Sequence, residues 1–123
     1  MAKANLVEKK IQMSVRDIVK YQLLSHCFVH DISHSDAELE CLTLLGIFGE
    51  CDLADFCNAA VDESIFKVSQ TVRNFLTKAE KFNLIEKNGK TRKKIKLTNS
   101  LNVQTRGNII LDYKIFHIEA KES

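Results

Sequence analysis

The stretch SQTVRNFLTKAEKFNLIEKNGKTRKKIKLT, residues 69–98, constrains the fold of this chain more than any other. Its first half carries apolar side chains at helical spacing, which predicts an amphipathic helix beginning at either Asp62 or Ser69. Its second half predicts two strands, 84–87 and 94–98, around NGKTR, in which the NG pair is a hairpin signal. The apolar stripe expected on the helix is formed by Ile65, Val68, Val72, Phe75, Leu76, Ala79 and Phe82.

The chain upstream begins with a polar arm, 1–10, that has no apolar periodicity. A helix over 14–30 is predicted after it, since Ser14 and Asp17 resemble a capping box. The apolar side chains at helical spacing are Val15, Ile18, Val19, Leu23 and Cys27. A strand entering through Ile11, Met13 and Val15 is the alternative for this region.

Two further helices have clear starting residues. Ser35 and Glu38 form a capping box, with acids in the first turn where the helix dipole favours them, and Gly49 is suited to end the helix. Asp52 can cap a short helix that follows. The side chains of that helix expected to face inward are Leu53, Phe56, Cys57 and Ala60. The chain is therefore expected to form one mainly helical α+β domain.

The segment 108–119 is the most strand-like part of the sequence. It is apolar on both faces, and such a strand requires cover on both sides. This pattern makes it a candidate interface between protein chains, formed by Ile109, Leu111, Tyr113, Ile115, Phe116 and Ile118.

Charge is distributed unevenly along the chain. The block 21–66 has nine acidic residues and no lysine or arginine, whereas 67–106 has eleven basic residues and two acidic ones. The two blocks therefore carry −9 and +9, although the whole chain carries only +2. Such asymmetry favours a face for an anionic partner, or head-to-tail docking of protein chains.

Several other classes of protein have little support. The longest apolar runs fall far short of a membrane span, and the N-terminal stretch lacks the layout of a signal peptide, so we expect a reducing, cytoplasmic environment for the four cysteines. No glycine-rich phosphate loop, nucleophile elbow or His-Glu-x-x-His motif occurs, so we expect no catalytic residues and no enzyme activity.

A metal site is also not expected. His26, Cys27, His30 and His34 lie close together in sequence, but the second block of ligands typical of a zinc site is missing. We therefore predict neither a metal nor a cofactor.

The order of three helices followed by a basic hairpin resembles the winged helix-turn-helix domain, over roughly 36–98. The residues that carry the resemblance are Ser69, Val72, Leu76, Ala79, Leu84 and Ile85. They are similar to the S-x-x-T-V-x-x-x-L-x-x-L-x-x-x-G-L-I pattern of MarR-like regulators. The sequence departs from that pattern in the longer join DESIFK and in Asn83, which stands where the family has glycine but can take a left-handed conformation.

The resemblance implies a sequence-selective, dimeric transcriptional regulator that reads double-stranded DNA with helix 69–82 and a basic wing, 86–96. The helix residues implied to contact DNA are Ser69, Gln70, Thr71, Arg73, Asn74 and Thr77, with Gln70, Arg73 and Asn74 the best candidates for base edges. The wing residues implied to contact the backbone or minor groove are Lys87, Lys90, Arg92, Lys93 and Lys94. The helix over 14–30 and the strand over 108–119 would provide the dimer contacts.

A second hypothesis uses the same shape for another purpose. Winged helices also serve as protein-binding modules, so the chain could be a non-enzymatic structural or assembly subunit of a larger complex, such as a phage particle. In that case it would dock through the winged helix and the strand over 108–119, and a virion location becomes an alternative to the cytoplasm.

Overall fold

The computed structural model describes residues 14–105, which form four helices and a small antiparallel sheet. The predicted α+β, mainly helical class is therefore confirmed. The polar arm over 1–10 and the strand over 108–119, with Ile109, Leu111, Tyr113, Ile115, Phe116 and Ile118, lie outside the described residues. The elements in chain order are α1 (Val15–Val29), α2 (Asp36–Phe48), β1 (Cys51–Asp52), α3 (Leu53–Asp62), α4 (Ser69–Lys81), β2 (Ile85–Asn88), β3 (Lys94–Leu97) and a 3₁₀ turn (Asn99–Leu101).

The predicted caps begin the first three helices. At α1 the Ser14 hydroxyl accepts a hydrogen bond from the Asp17 N–H. At α2 the Ser35 hydroxyl accepts from the Glu38 N–H at 3.1 Å, and the Glu38 carboxylate accepts from the Ser35 N–H at 2.8 Å. At α3 the Asp52 carboxylate accepts from the Ala54 N–H at 3.0 Å. These bonds satisfy N–H groups that the helices leave without a partner.

The fourth helix begins at Ser69, which decides between the two predicted starts. The join DESIFK, 62–67, begins at the last residue of α3, and Ser64 within it takes a left-handed conformation with φ of 61°. The buried stripe is shorter than predicted, because Val68 precedes the helix with 55% of its surface exposed and Phe82 follows it with 48% exposed. The buried part consists of Val72, Phe75, Leu76 and Ala79.

The chain reverses after α4 at Asn83, whose φ of 58° confirms the left-handed conformation predicted there. Strands β2 and β3 then form the hairpin: β2 lies one residue later than the predicted 84–87, and β3 begins at 94 as predicted but ends one residue before 98. The loop 89–93 joins them, with left-handed backbone at Gly89 and Arg92.

The three strands have the order β1-β3-β2, all antiparallel. The short β1 precedes α3 yet pairs with β3, with Cys51 opposite Ile95. The Leu53 N–H at the start of α3 also donates to the Lys93 carbonyl at 2.7 Å. The hairpin is therefore held to the helical part through its central strand, where Ile95 is fully buried.

Helix α1 packs on α2 at a glycine. A methyl group at Gly46 would lie 2.7 Å from Val19 Cγ1 and 3.0 Å from Leu97 Cδ1, so glycine permits the close approach of α1, α2 and β3. Ionic contacts continue this seam, since Arg16 and Lys20 of α1 both contact the Glu40 carboxylate of α2. The contact with Glu40 also raises the pKa of Lys20.

Candidate nucleic-acid interface

The outward face of α4 is polar over its whole length. Gln70, Arg73, Asn74 and Thr77 are exposed, on the side of the helix opposite the buried stripe. Ser69, also predicted to contact DNA, is half-buried at the start of the helix. The structure therefore brings together on one face the three side chains that the sequence analysis favoured for base edges.

Two of these side chains are held by a hydrogen bond. Gln70 Nε2 donates to Asn74 Oδ1 at 2.9 Å across one helical turn. This leaves the side-chain oxygen of Gln70 free to accept a hydrogen bond and the side-chain nitrogen of Asn74 free to donate one. An acceptor and a donor side by side suit the donor and acceptor that adenine presents in the major groove.

Lys81 belongs to the same face, although the sequence analysis did not include it. At 100° per residue it follows Gln70 by three turns and Thr77 by one turn, and its side chain is exposed. It has no ion-pair partner within residues 14–105. Lys81 follows Asn74 by seven residues, which is two helical turns, so the sequence alone could have placed Lys81 on this face.

One flank of α4 faces α2. Lys78 Nζ lies 3.3 Å from Glu38 Oε2, which neutralises this lysine. Thr71 lies two turns earlier on the same flank and is exposed. Of the predicted helix residues, Thr71 is thus the farthest from the centre of the polar face.

The opposite flank faces the wing. The Arg92 guanidinium contacts Glu80 Oε2, and Lys87 Nζ lies 4.0 Å from Glu80 Oε1. Two predicted DNA contacts of the wing therefore share the single negative charge of Glu80, which also links the hairpin to α4. Lys87 is also the more buried of the two, with 17% of its side chain exposed.

The remaining predicted wing residues point to solvent. Lys90, Lys93 and Lys94 are exposed, and none has an ion-pair partner among the residues that the structure describes. Lys96, on β3, lies 3.9 Å from Glu86 on the paired strand β2. Three uncompensated cations on one hairpin form a surface suited to phosphate groups.

The histidine and cysteine residues of α1 do not converge on a site. The rings of His26 and His30 lie with centroids 4.3 Å apart, and burial together with His30 lowers the pKa of His26. Cys27 is buried in the core, and burial raises the pKa of its thiol. Within residues 14–105 no group of three or more His, Cys, Asp or Glu side chains is arranged to hold a metal ion.

No protein-family model, curated protein or solved structure matches this chain. Among the described residues, no helix has both the length and the apolar character needed to cross a membrane.

Proposed function

We propose that this chain is a winged-helix protein that binds double-stranded DNA as a cytoplasmic transcriptional regulator. In this proposal α4 enters the major groove and the wing lies along the phosphate backbone. The observation that carries it is the polar, outward face of α4 next to a hairpin with three uncompensated lysines. No catalytic residue, metal or cofactor is part of the proposal.

The topology supports this assignment. The order helix, strand, helix, helix, strand, strand runs from α2 to β3, and β3 lies between β1 and β2. This is the arrangement that a winged helix-turn-helix domain requires, with α1 as an additional element. The join DESIFK falls between α3 and α4 and lengthens the turn of the helix-turn-helix.

The distribution of charge after ion pairing also supports it. Several cations of the described chain have no acidic partner within 14–105, and they lie on α4, on the wing or just before α4. These cations are Lys67, Arg73, Lys81, Lys90, Lys93 and Lys94. The lysines and arginines paired with acids instead join elements of the fold. Uncompensated positive charge is the main source of affinity for a phosphate backbone.

Substitution of single cations tests this proposal. Arg73→Ala and Lys93→Ala should each weaken binding to a fluorescent duplex, and Arg73→Ala by about fivefold or more, since a lost base contact costs about 1–3 kcal/mol. Lys96→Ala is the matched control, since it removes the same charge from β3 at a site already neutralised by Glu86. Equal effects of Lys93→Ala and Lys96→Ala would contradict the proposed surface.

One observation favours the assembly module as a competing proposal. Phe28 and Val29, near the end of α1, expose 83% and 75% of their surface. Large exposed apolar side chains that adjoin one another are typical of protein contacts. A homo-oligomer or larger assembly without affinity for duplex DNA is the result that this alternative predicts.

A further inference from the structure

The outward face of α1 carries several large apolar side chains. Val19, Leu23 and Cys27 point inward and are buried against the core. Tyr21 and Phe28 lie on the other side and are mostly exposed, with Leu24 beside them at 39% exposed. Large apolar side chains that adjoin one another on a surface are typical of a contact with another segment or chain.

Beyond Asp17, an exposed acid one turn before Tyr21, the same face carries no formal charge. Residues 21–30 contain no Asp, Glu, Lys or Arg, although the chain as a whole is 28% charged. A partner chosen by charge, such as a nucleic acid or a basic peptide, therefore has nothing to recognise along 21–30. The surface fits an occupant that is itself apolar and uncharged along the contact.

The chain returns to α1 just before the segment 108–119. The Gln104 N–H donates to Gln22 Oε1 at 2.8 Å, and Gln22 Nε2 donates to the Gln104 carbonyl at 2.7 Å. One amide side chain of α1 thus binds both backbone groups of Gln104, as a neighbouring strand would. Leu101 and Val103 pack against the core just before this point.

This anchor brings the apolar segment within reach of the open face. Three residues lie between Gln104 and Asn108, and the four residue steps of an extended chain span about 13 Å. A helix with its side chains is roughly 10–12 Å across. The segment can therefore pass from Gln22 to the side of α1 that carries Tyr21 and Phe28.

We propose that residues 108–119 cover the outward apolar face of α1 in the same chain. One face of the segment, with its alternating apolar side chains, packs on Tyr21, Leu24 and Phe28. A pair of α1 helices from two copies is a poorer occupant, since a stable interface takes about 20–30 residues from each partner and this face offers only a few. This inference does not depend on DNA binding.

Photo-crosslinking in the full chain tests the proposal directly. A benzophenone amino acid replaces Phe28, and the irradiated products are separated by mass and digested. The matched control places the same amino acid at Phe82, which is 48% exposed at the end of α4. Joining of position 28 to a peptide from 106–123 in the species of monomer mass, with none from position 82, is the expected result. Crosslinks in a dimer-mass species, or no difference between the two positions, would overturn the proposal.

Thermal unfolding provides a second measurement. Phe28→Asp should lower the melting temperature by roughly 4–8 °C, the shift typical of a domain of this size when a contact is lost. Ile115→Asp should lower the melting temperature in the same way. In the double variant the decrease should be smaller than the sum of the two single decreases, because the two residues share one contact. An unchanged melting temperature in Phe28→Asp would show that the face is open to solvent and would overturn the proposal.

Discussion

The guanidinium of Arg92, near the tip of the wing, binds the carboxylate of Glu80 in the last turn of α4. Arg92 also takes a left-handed backbone conformation, with φ of 56°. This conformation is uncommon for a residue with a side chain, so the ion pair fixes an arrangement that the loop alone does not favour. The contact links the loop of the wing to α4, in addition to the pairing of β3 with β1 that holds the hairpin to the helical part.

The first prediction compares a lysine of the wing that has no ion pair among the described residues with an arginine that is paired. Lys93→Ala should reduce by about one the slope of log affinity against log salt concentration, because a phosphate contact is lost. Arg92→Ala should leave that slope nearly unchanged, since Glu80 already neutralises Arg92. A duplex-binding titration at several salt concentrations measures both. An equal loss of slope in the two variants would mean that Arg92 leaves Glu80 to contact DNA.

The second prediction concerns the packing of α1 on α2. Gly46→Ala should lower the free energy of unfolding by about 1–2 kcal/mol, since the added methyl overlaps Val19. At an uncrowded position in a helix the same change would stabilise the protein. Urea unfolding measures the difference. The loss should be smaller in a Val19→Ala background, where room for the methyl exists, and a stabilising Gly46→Ala would contradict the close approach.

The third prediction is a dependence of stability on pH through Glu38. Burial alone would raise the pKa of this carboxyl, but hydrogen bonds from the Ser35 N–H and from Lys78 outweigh it, and the pKa falls below its ordinary value of 4.5. A lowered pKa in the folded state gives stability that is present above the unfolded value and lost as the pH falls through the folded one.

Glu38→Gln should therefore lower the free energy of unfolding by about 0.5 kcal/mol at neutral pH, which is the usual contribution of a surface ion pair. The cost should shrink at an acidic pH below 4.5, where the stability that a lowered pKa provides is progressively lost. Urea midpoints at the two pH values give the comparison. Glu50→Gln is the control, because Glu50 is exposed and has no ion pair among the described residues. A cost that is the same at both pH values would contradict the role given to the carboxylate.

The fourth prediction uses the cysteine thiols as probes of burial. Burial raises the pKa of Cys41 to about 12, and Cys41 has no exposed surface, whereas Cys51 is only partly buried. Since the thiolate is the reactive form, a disulfide reagent at about pH 8 should modify Cys51 first and leave Cys41 intact in the folded protein. Mass spectrometry of the digested protein identifies the site. Equal rates at the two thiols would contradict the packing of α2.

Local signals in the sequence were sufficient for most helix starts and for the hairpin. Ser35 and Asp52 bond to nearby backbone N–H groups, and such short-range contacts can be read from residue spacing. The start of α4 could not be read in this way, because Val68 precedes it without a capping hydrogen bond from its side chain. The apolar stripe continued on both sides of that point, so periodicity did not distinguish Asp62 from Ser69.

Contacts between distant elements account for what the sequence did not provide. Counting charges gave the wing five equivalent cations, but Arg92 and Lys87 share the carboxylate of Glu80 on another element. Lys78 is likewise paired with Glu38, forty residues away. Such pairs depend on how helices and strands pack, and spacing along one element does not reveal them. Lys81 is different, since its place on the polar face follows from helical spacing alone.

The measurement that tests the central claim most directly is the affinity of the full chain for random-sequence duplex DNA across a range of salt concentrations. The mass of the protein in solution is recorded in parallel. With the uncompensated cations of α4 and the wing on the backbone, we expect micromolar or tighter binding at low salt, and a slope of log affinity against log salt of about −3 to −5. No binding at low salt, together with self-association, would contradict the account and would assign α4 and the wing to a protein partner instead.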